Sequence, residues 1–132
     1  MNRGTSVTVR GTVFSGLGEG EFYVNLYARN IRRALGFTPF PGTLNIRIMP
    51  SYVDLLNERL RELEPVIVEP PRMEGIRLGR VYIFNAVLYD ETVYIVRPEI
   101  TVYKGDVIEI ISKSYLRKKY KLEDGKTVEI TV

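Results

Sequence analysis

Glycine occupies every second position in part of "SGLGEGEFYV" (15–24), at Gly16, Gly18 and Gly20. A hairpin turn uses one or two glycines, so the surplus implies that something approaches the main chain closely. The main-chain N–H groups of such a loop can form a concavity for an anion such as phosphate, with the glycines letting it close over the ligand. An ordinary flexible hairpin loop accounts for the same residues. Two familiar glycine motifs are excluded. A dinucleotide fingerprint needs glycine where Glu21 stands, with a long helix after it, and a phosphate-binding P-loop needs a Gly-Lys-Ser/Thr that the chain lacks.

Three further places could carry chemistry. In "PGTLN" (41–45), Thr43 and Asn45 stand two apart on an expected strand, so their side chains project to one side. Their neutral, hard oxygens suit Mg²⁺ that draws its remaining ligands from phosphates and water, unless both simply face solvent. "SKSYLRKKYK" (112–121) reads as a helix start directly after a strand, where free N–H groups attract anions and Arg117 lies one turn in, on the side of Ser114; the alternative is a solvated basic face. Glu109 interrupts "VIEII", with Ile108 and Ile110 facing the other way. A carboxylate there either meets solvent or lines a cavity, where it can accept a hydrogen bond or a hydroxyl proton.

Composition narrows the chemistry. The 132 residues fit one domain with a real core, and neither histidine nor cysteine occurs. That excludes disulfides, thiolate metal sites, cysteine nucleophiles and imidazole bases together. A net charge of +3, from 19 basic and 16 acidic residues, is too mild to argue for nucleic acid and equally suits a small anionic ligand. No apolar stretch approaches a membrane span and "MNRGTSVTVRGTVF" has no signal-like apolar region, so a cytoplasmic protein is expected.

The elements that must position these residues are mostly strands. "SVTVRGTVF" (6–14) alternates as a strand, and "EFYVNL" alternates Phe22, Val24 and Leu26 against Tyr23 and Asn25, predicting a second strand from about Glu21. "YARNIRRALGF" (27–37) then predicts a short helix ending at Gly36. "TLNIRIMP" (43–50) predicts a strand, and "SYVDLLNERLRELE" (51–64) a helix capped by Ser51. "PVIVEP", "GRVYIFNAVLY", "TVYIVRP", "DVIEII" and "KTVEITV" read as strands, the second and third joined at Asp90-Glu91, with one short helix in "SYLRKKYKL" (114–122). Six or more short strands with few brief helices favour a barrel.

In content, order and spacing, "SGLGEGEFYV", "LGFTPFPGTLN" and "IEIISKSYLRKKYKLEDG" resemble the archaeal CTP-dependent riboflavin kinases, over nearly the whole chain from about Val9. The resemblance implies a mainly β fold, a six-stranded cradle-loop (riboflavin-kinase-like) β-barrel with a few short helices, forming one domain over residues 1–132. It also implies transfer of the γ-phosphoryl group of CTP to the 5′-hydroxyl of riboflavin, giving FMN and CDP. By matching motif, Gly16, Leu17, Gly18, Glu19, Gly20 and Glu21 would hold the nucleotide with Ser114, Tyr115, Leu116 and Arg117. Thr43 and Asn45 would bind Mg²⁺, and Thr101 in "RPEITVY" and Glu109 would contact the flavin, Glu109 being also the candidate base.

The expected partners are therefore riboflavin and CTP, with no nucleic acid and no membrane, in a monomer. The rival reading is a non-catalytic small β-barrel that binds nucleic acid through residues 113–121 and the tyrosines at 23, 115 and 120. A second rival is a flavin carrier without catalysis; "PGTLN" argues against it, since a carrier has no use for a metal-nucleotide site.

Overall fold

The computed structural model describes residues 4–16 and 18–132. Seven strands form one antiparallel sheet: β1 (Thr8–Phe14), β2 (Leu44–Ile48), β3 (Val66–Val68), β4 (Val81–Leu88), β5 (Glu91–Pro98), β6 (Val107–Ile111) and β7 (Thr127–Thr131). Their order is β3-β4-β5-β6-β2-β1-β7. A further pairing, Val87 with Thr131 and Leu88 with Ile130, joins β4 to β7 and closes six strands into a barrel. The expected six-stranded barrel is therefore present, with β3 added along the first half of β4.

Alternation along the strands sorts side chains into two sets. Val9, Val13, Leu44, Ile46, Ile48, Ile95, Ile108, Ile110 and Ile130 point inward and form one buried cluster, joined by Leu56 and Leu60 from the helix α2 (Pro50–Glu62). Each such side chain contributes about 1.5–3 kcal/mol by leaving water. The outward set on β4, β5 and β6, including Ile83, Val96 and Ile111, is covered by Val24, Tyr27 and Ile31 of the helix α1 (Gly20–Leu35). Among the described residues no helix is long and apolar enough to cross a membrane.

Helix α1 corrects the sequence expectation. Residues 21–26 are helical rather than a strand, and the glycine segment joins a strand to a helix instead of two strands. The alternation of Phe22, Val24 and Leu26 is short enough to fit either period; the stripe Val24, Tyr27, Ile31 runs through it with helical spacing and finds a sheet to cover. Phe22 and Tyr23 are consequently exposed. The helix ends as expected at Gly36, which adopts φ 84 and donates its N–H to Arg32 O. In α2, Pro50 takes the first turn and Met49 the capping position, so Ser51 lies inside the helix and does not cap it. The last helix, α3 (Leu116–Lys119), is a single turn.

The β4–β5 turn, with Tyr89 at φ 54, is tied to the segment after β6 through one carboxylate. Glu91 accepts hydrogen bonds from Ser112 Oγ at 2.9 Å, from Tyr120 OH at 2.9 Å and from Lys119 Nζ. Burial alone would raise this carboxyl, but donors on Lys119, Ser114, Tyr120 and Ser112 outweigh burial and hold it at about 2. A depressed acid contributes stability that is present above the ordinary carboxylate range and is lost as pH falls toward 2. Glu91→Gln should therefore cost about 1–3 kcal/mol at pH 7, and should remove the part of the acid-induced loss of stability between pH 4.5 and about 2 that Glu91 causes. Denaturant titrations of both proteins across that range provide the check.

Candidate functional site

Strand register assembles the site. On the outer face of the sheet, Phe14 of β1 opposes Asn45 of β2, Asn45 opposes Glu109 of β6, and Glu109 opposes Val96 of β5. Four strands thus set a line of residues side by side, and its two polar members are neighbours. A cavity of about 300 Å³ lies between this face and α1, walled by Tyr23, Val24, Tyr27, Val96 and Ile111 and rimmed by residues 77–81, Pro98 and residues 100–103. A second, more open cleft of about 720 Å³ lies among residues 14–16, 40–45 and 115–117, and Ser114 does not line it. The two share Gly18, Gly20, Thr43 and Asn45.

At that junction Thr43 Oγ1 donates to Asn45 Oδ1 at 3.0 Å, and Asn45 is only 7% exposed. The expected same-side projection is present, and the pair is held between two glycines. A Cβ on Gly16 would stand 2.2 Å from Asn45 Nδ2 and 2.6 Å from Tyr103 OH; one on Gly20 would stand 2.5 Å from Thr43 Oγ1. What approaches the main chain at these two glycines is thus the protein's own side chains. Gly18 differs: it adopts φ 81 with open space around it. Leu17, named with this loop from sequence, lies outside the described residues.

The pair fits a hard cation in part. Two neutral oxygens 3.0 Å apart offer two ligand positions, and among the described residues no group of three or more His, Cys, Asp or Glu could complete a metal site. The remaining ligands would have to come from phosphate and water.

The glycine segment also leads into a helix dipole that sequence reading missed. Glu19 precedes α1 without a side-chain capping bond, so the helix start brings uncapped N–H groups to the junction. Glu19 and Glu21 themselves are exposed. The helix start expected near Ser112 or Ser114 amounts to a four-residue turn. There Ser114 N donates to Ser112 Oγ, Tyr115 stacks on Phe40 with ring centroids 4.4 Å apart, and Leu116 is buried. Arg117 donates to Phe14 O, Leu122 O and Asp124 Oδ1, so its guanidinium braces the chain's own backbone.

In the smaller cavity Glu109 is pushed up by burial, and among the described residues no side chain hydrogen-bonds it. Thr101 sits at the exposed rim, where its Oγ1 accepts from Tyr103 N at 3.1 Å. Tyr27 OH donates to Gly79 O at 2.7 Å and ties the helix roof to the opposite rim. The tyrosines required by the nucleic-acid reading do not share a groove: Tyr23 lines the smaller cavity, Tyr115 the larger cleft, and Tyr120 is bonded to Glu91 and packed on Tyr89.

Residues 13–132 match the family model CTP-dep_RFKase, described as "Domain of unknown function DUF120". The chain belongs to the CTP-dependent riboflavin kinase family. It is 51% identical over 119 residues to a riboflavin kinase of Aeropyrum pernix, covering 89% of each chain. It is 43% identical to a riboflavin kinase of Methanospirillum hungatei, covering 96% of this chain and 58% of that protein. One from Archaeoglobus fulgidus is 39% identical, with 96% of this chain and 55% of that protein covered. The chain thus spans rather more than half the length of these two longer relatives.

The two kinds of glycine separate by substitution. Gly16→Ala and Gly20→Ala should displace Asn45 and Thr43, the latter although alanine favours the helix by about 1 kcal/mol. Gly18→Ala should add only backbone strain of about 1–2 kcal/mol. Thermal melts, with the Asn45 side-chain amide signals in NMR spectra, distinguish these outcomes.

Proposed function

We propose that this chain transfers the γ-phosphoryl group of CTP to the 5′-hydroxyl of riboflavin, with Mg²⁺ as the assisting ion. The observation that carries the reading is the meeting of two differently built cavities at Thr43 and Asn45. The smaller one has the apolar walls a flat ring system needs, between Val24, Tyr27 and Ile31 on one side and Val96 and Ile111 on the other. The larger, more open one borders the glycine segment and residues 115–117, and takes the nucleotide. A hydroxyl reaching out of the first cavity meets the terminal phosphate of the second where the two share a floor. Family membership supports both substrates.

The mechanism is mostly placement. Phosphoryl transfer passes through a loose transition state, so in-line alignment and charge stabilisation carry most of the rate. The riboflavin oxygen forms a bond to the γ-phosphorus as the bond to the CDP oxygen breaks, and CDP leaves with that electron pair. Uncapped N–H groups at the start of α1 stabilise the negative charge on the transferring group. Thr43 and Asn45 would hold Mg²⁺, which when bound neutralises phosphate oxygens. Glu109 takes the hydroxyl proton: it adjoins Asn45 across the ladder, lines the flavin cavity and, among the described residues, has no competing side-chain hydrogen-bond partner. Burial raises its proton affinity, which suits a base, and the rate should fall as pH drops through its raised value.

Incubation with riboflavin, Mg²⁺ and either CTP or ATP, followed by chromatography, should yield FMN with CTP and little with ATP. Absence of FMN with every nucleotide and metal would overturn the reading. Glu109→Gln should lower kcat by about 10²-fold or more while raising the melting temperature at neutral pH, because it removes a carboxylate penalised by desolvation. An unchanged kcat would exclude Glu109 as the base.

A further inference from the structure

Two of the segments that border the larger cleft, the end of β1 with the glycines and residues 115–117, are far apart in sequence and share no strand pairing. Both reach a single carboxylate in the turn before β7. Asp124 Oδ2 accepts from Ser15 Oγ at 2.8 Å and Oδ1 from the same hydroxyl at 3.1 Å, while Arg117 Nη2 donates to Oδ1 at 2.8 Å. The same guanidinium reaches Phe14 O at 3.2 Å, and Gly125 N donates to Val13 O at 2.8 Å. We infer that Asp124 is a positioning residue for the donor nucleotide, a clamp that fixes the glycine segment and the 115–117 segment to each other through Ser15 and Arg117.

Exposure argues for placement over stability. The Asp124 side chain is 55% exposed, and exposed ion pairs add little to folding free energy. Yet this carboxylate is held below its ordinary range first by Ser15 and then by Arg117, so the contacts favour its charged form. Ser15 immediately precedes Gly16, whose backbone abuts Asn45. A shift at Ser15 therefore moves both the phosphate-facing segment and the neighbour of the Thr43–Asn45 pair.

The inference rests on reading the larger cleft as the donor site, and two measurements keep it separable from that reading. In Asp124→Asn and Ser15→Ala, amide hydrogen exchange of a peptide covering residues 14–22, without nucleotide, should quicken, with Asp124→Glu partly restoring protection. The KM for CTP should rise about 10-fold in Asp124→Asn, the size of one lost charge-assisted hydrogen bond, while the KM for riboflavin holds. Unchanged exchange overturns the clamp whatever the substrate. Equal rises in both KM values, or a lowered melting temperature with neither KM altered, would reduce Asp124 to a merely structural role and overturn the inference. If the wild-type protein makes no FMN, calorimetric titration with CDP replaces the kinetic arm: weaker binding to Asp124→Asn supports the clamp and equal binding overturns it.

Discussion

Side-chain alternation along β2 and β6 is the constraint on which the site depends. Leu44, Ile46 and Ile48 on one strand, and Ile108 and Ile110 on the other, are committed to the barrel interior. Asn45 and Glu109 must then face outward, and the pairing of the two strands places them side by side. A slip of one residue would send both polar groups into the core and the isoleucines into the cavity, at a cost of several buried side chains. The aliphatic interior thus fixes the position of the polar pair without touching it.

An outward-facing pair becomes a cavity floor only when something roofs it, and here α1 does so. Its apolar stripe covers the outer face of β4, β5 and β6, while its first turn, at Gly20, lies against Thr43. One helix therefore supplies a wall for the smaller cavity and an uncapped N-terminus at the junction of both. The glycines make this possible: with side chains at 16 and 20 the backbone could not come close enough to Asn45 and Thr43.

Sequence showed the strands well because each repeats a period of two against a shared interior, and the line of Thr43 and Asn45 followed from that period alone. Helix α1 was not legible over residues 21–26, since a six-residue apolar alternation fits a strand until the covered face of the sheet is known. The capping of α2 by Met49 and Pro50 rather than Ser51 was hidden by a serine that resembles a cap. The bracing of Phe14, Leu122 and Asp124 by Arg117 has no sequence signal either, because it joins residues brought together only by barrel closure. The glycine surplus was legible as close approach, but not what approaches.

A buried amide lies against stability, as does a desolvated carboxylate that no side chain among the described residues hydrogen-bonds, and this chain keeps them adjacent on one ladder. The fold can carry that cost because the other face of the same strands is almost entirely aliphatic and fully buried. Elsewhere, Glu91, a carboxylate with a strongly lowered proton affinity, gathers donors from Ser112, Lys119 and Tyr120 and so anchors the segment that borders the larger cleft. Two glutamates with opposite shifts therefore divide the work. The saturated one fixes where the wall stands, and the other, which no side chain among the described residues hydrogen-bonds, lies in the smaller cavity beside Asn45.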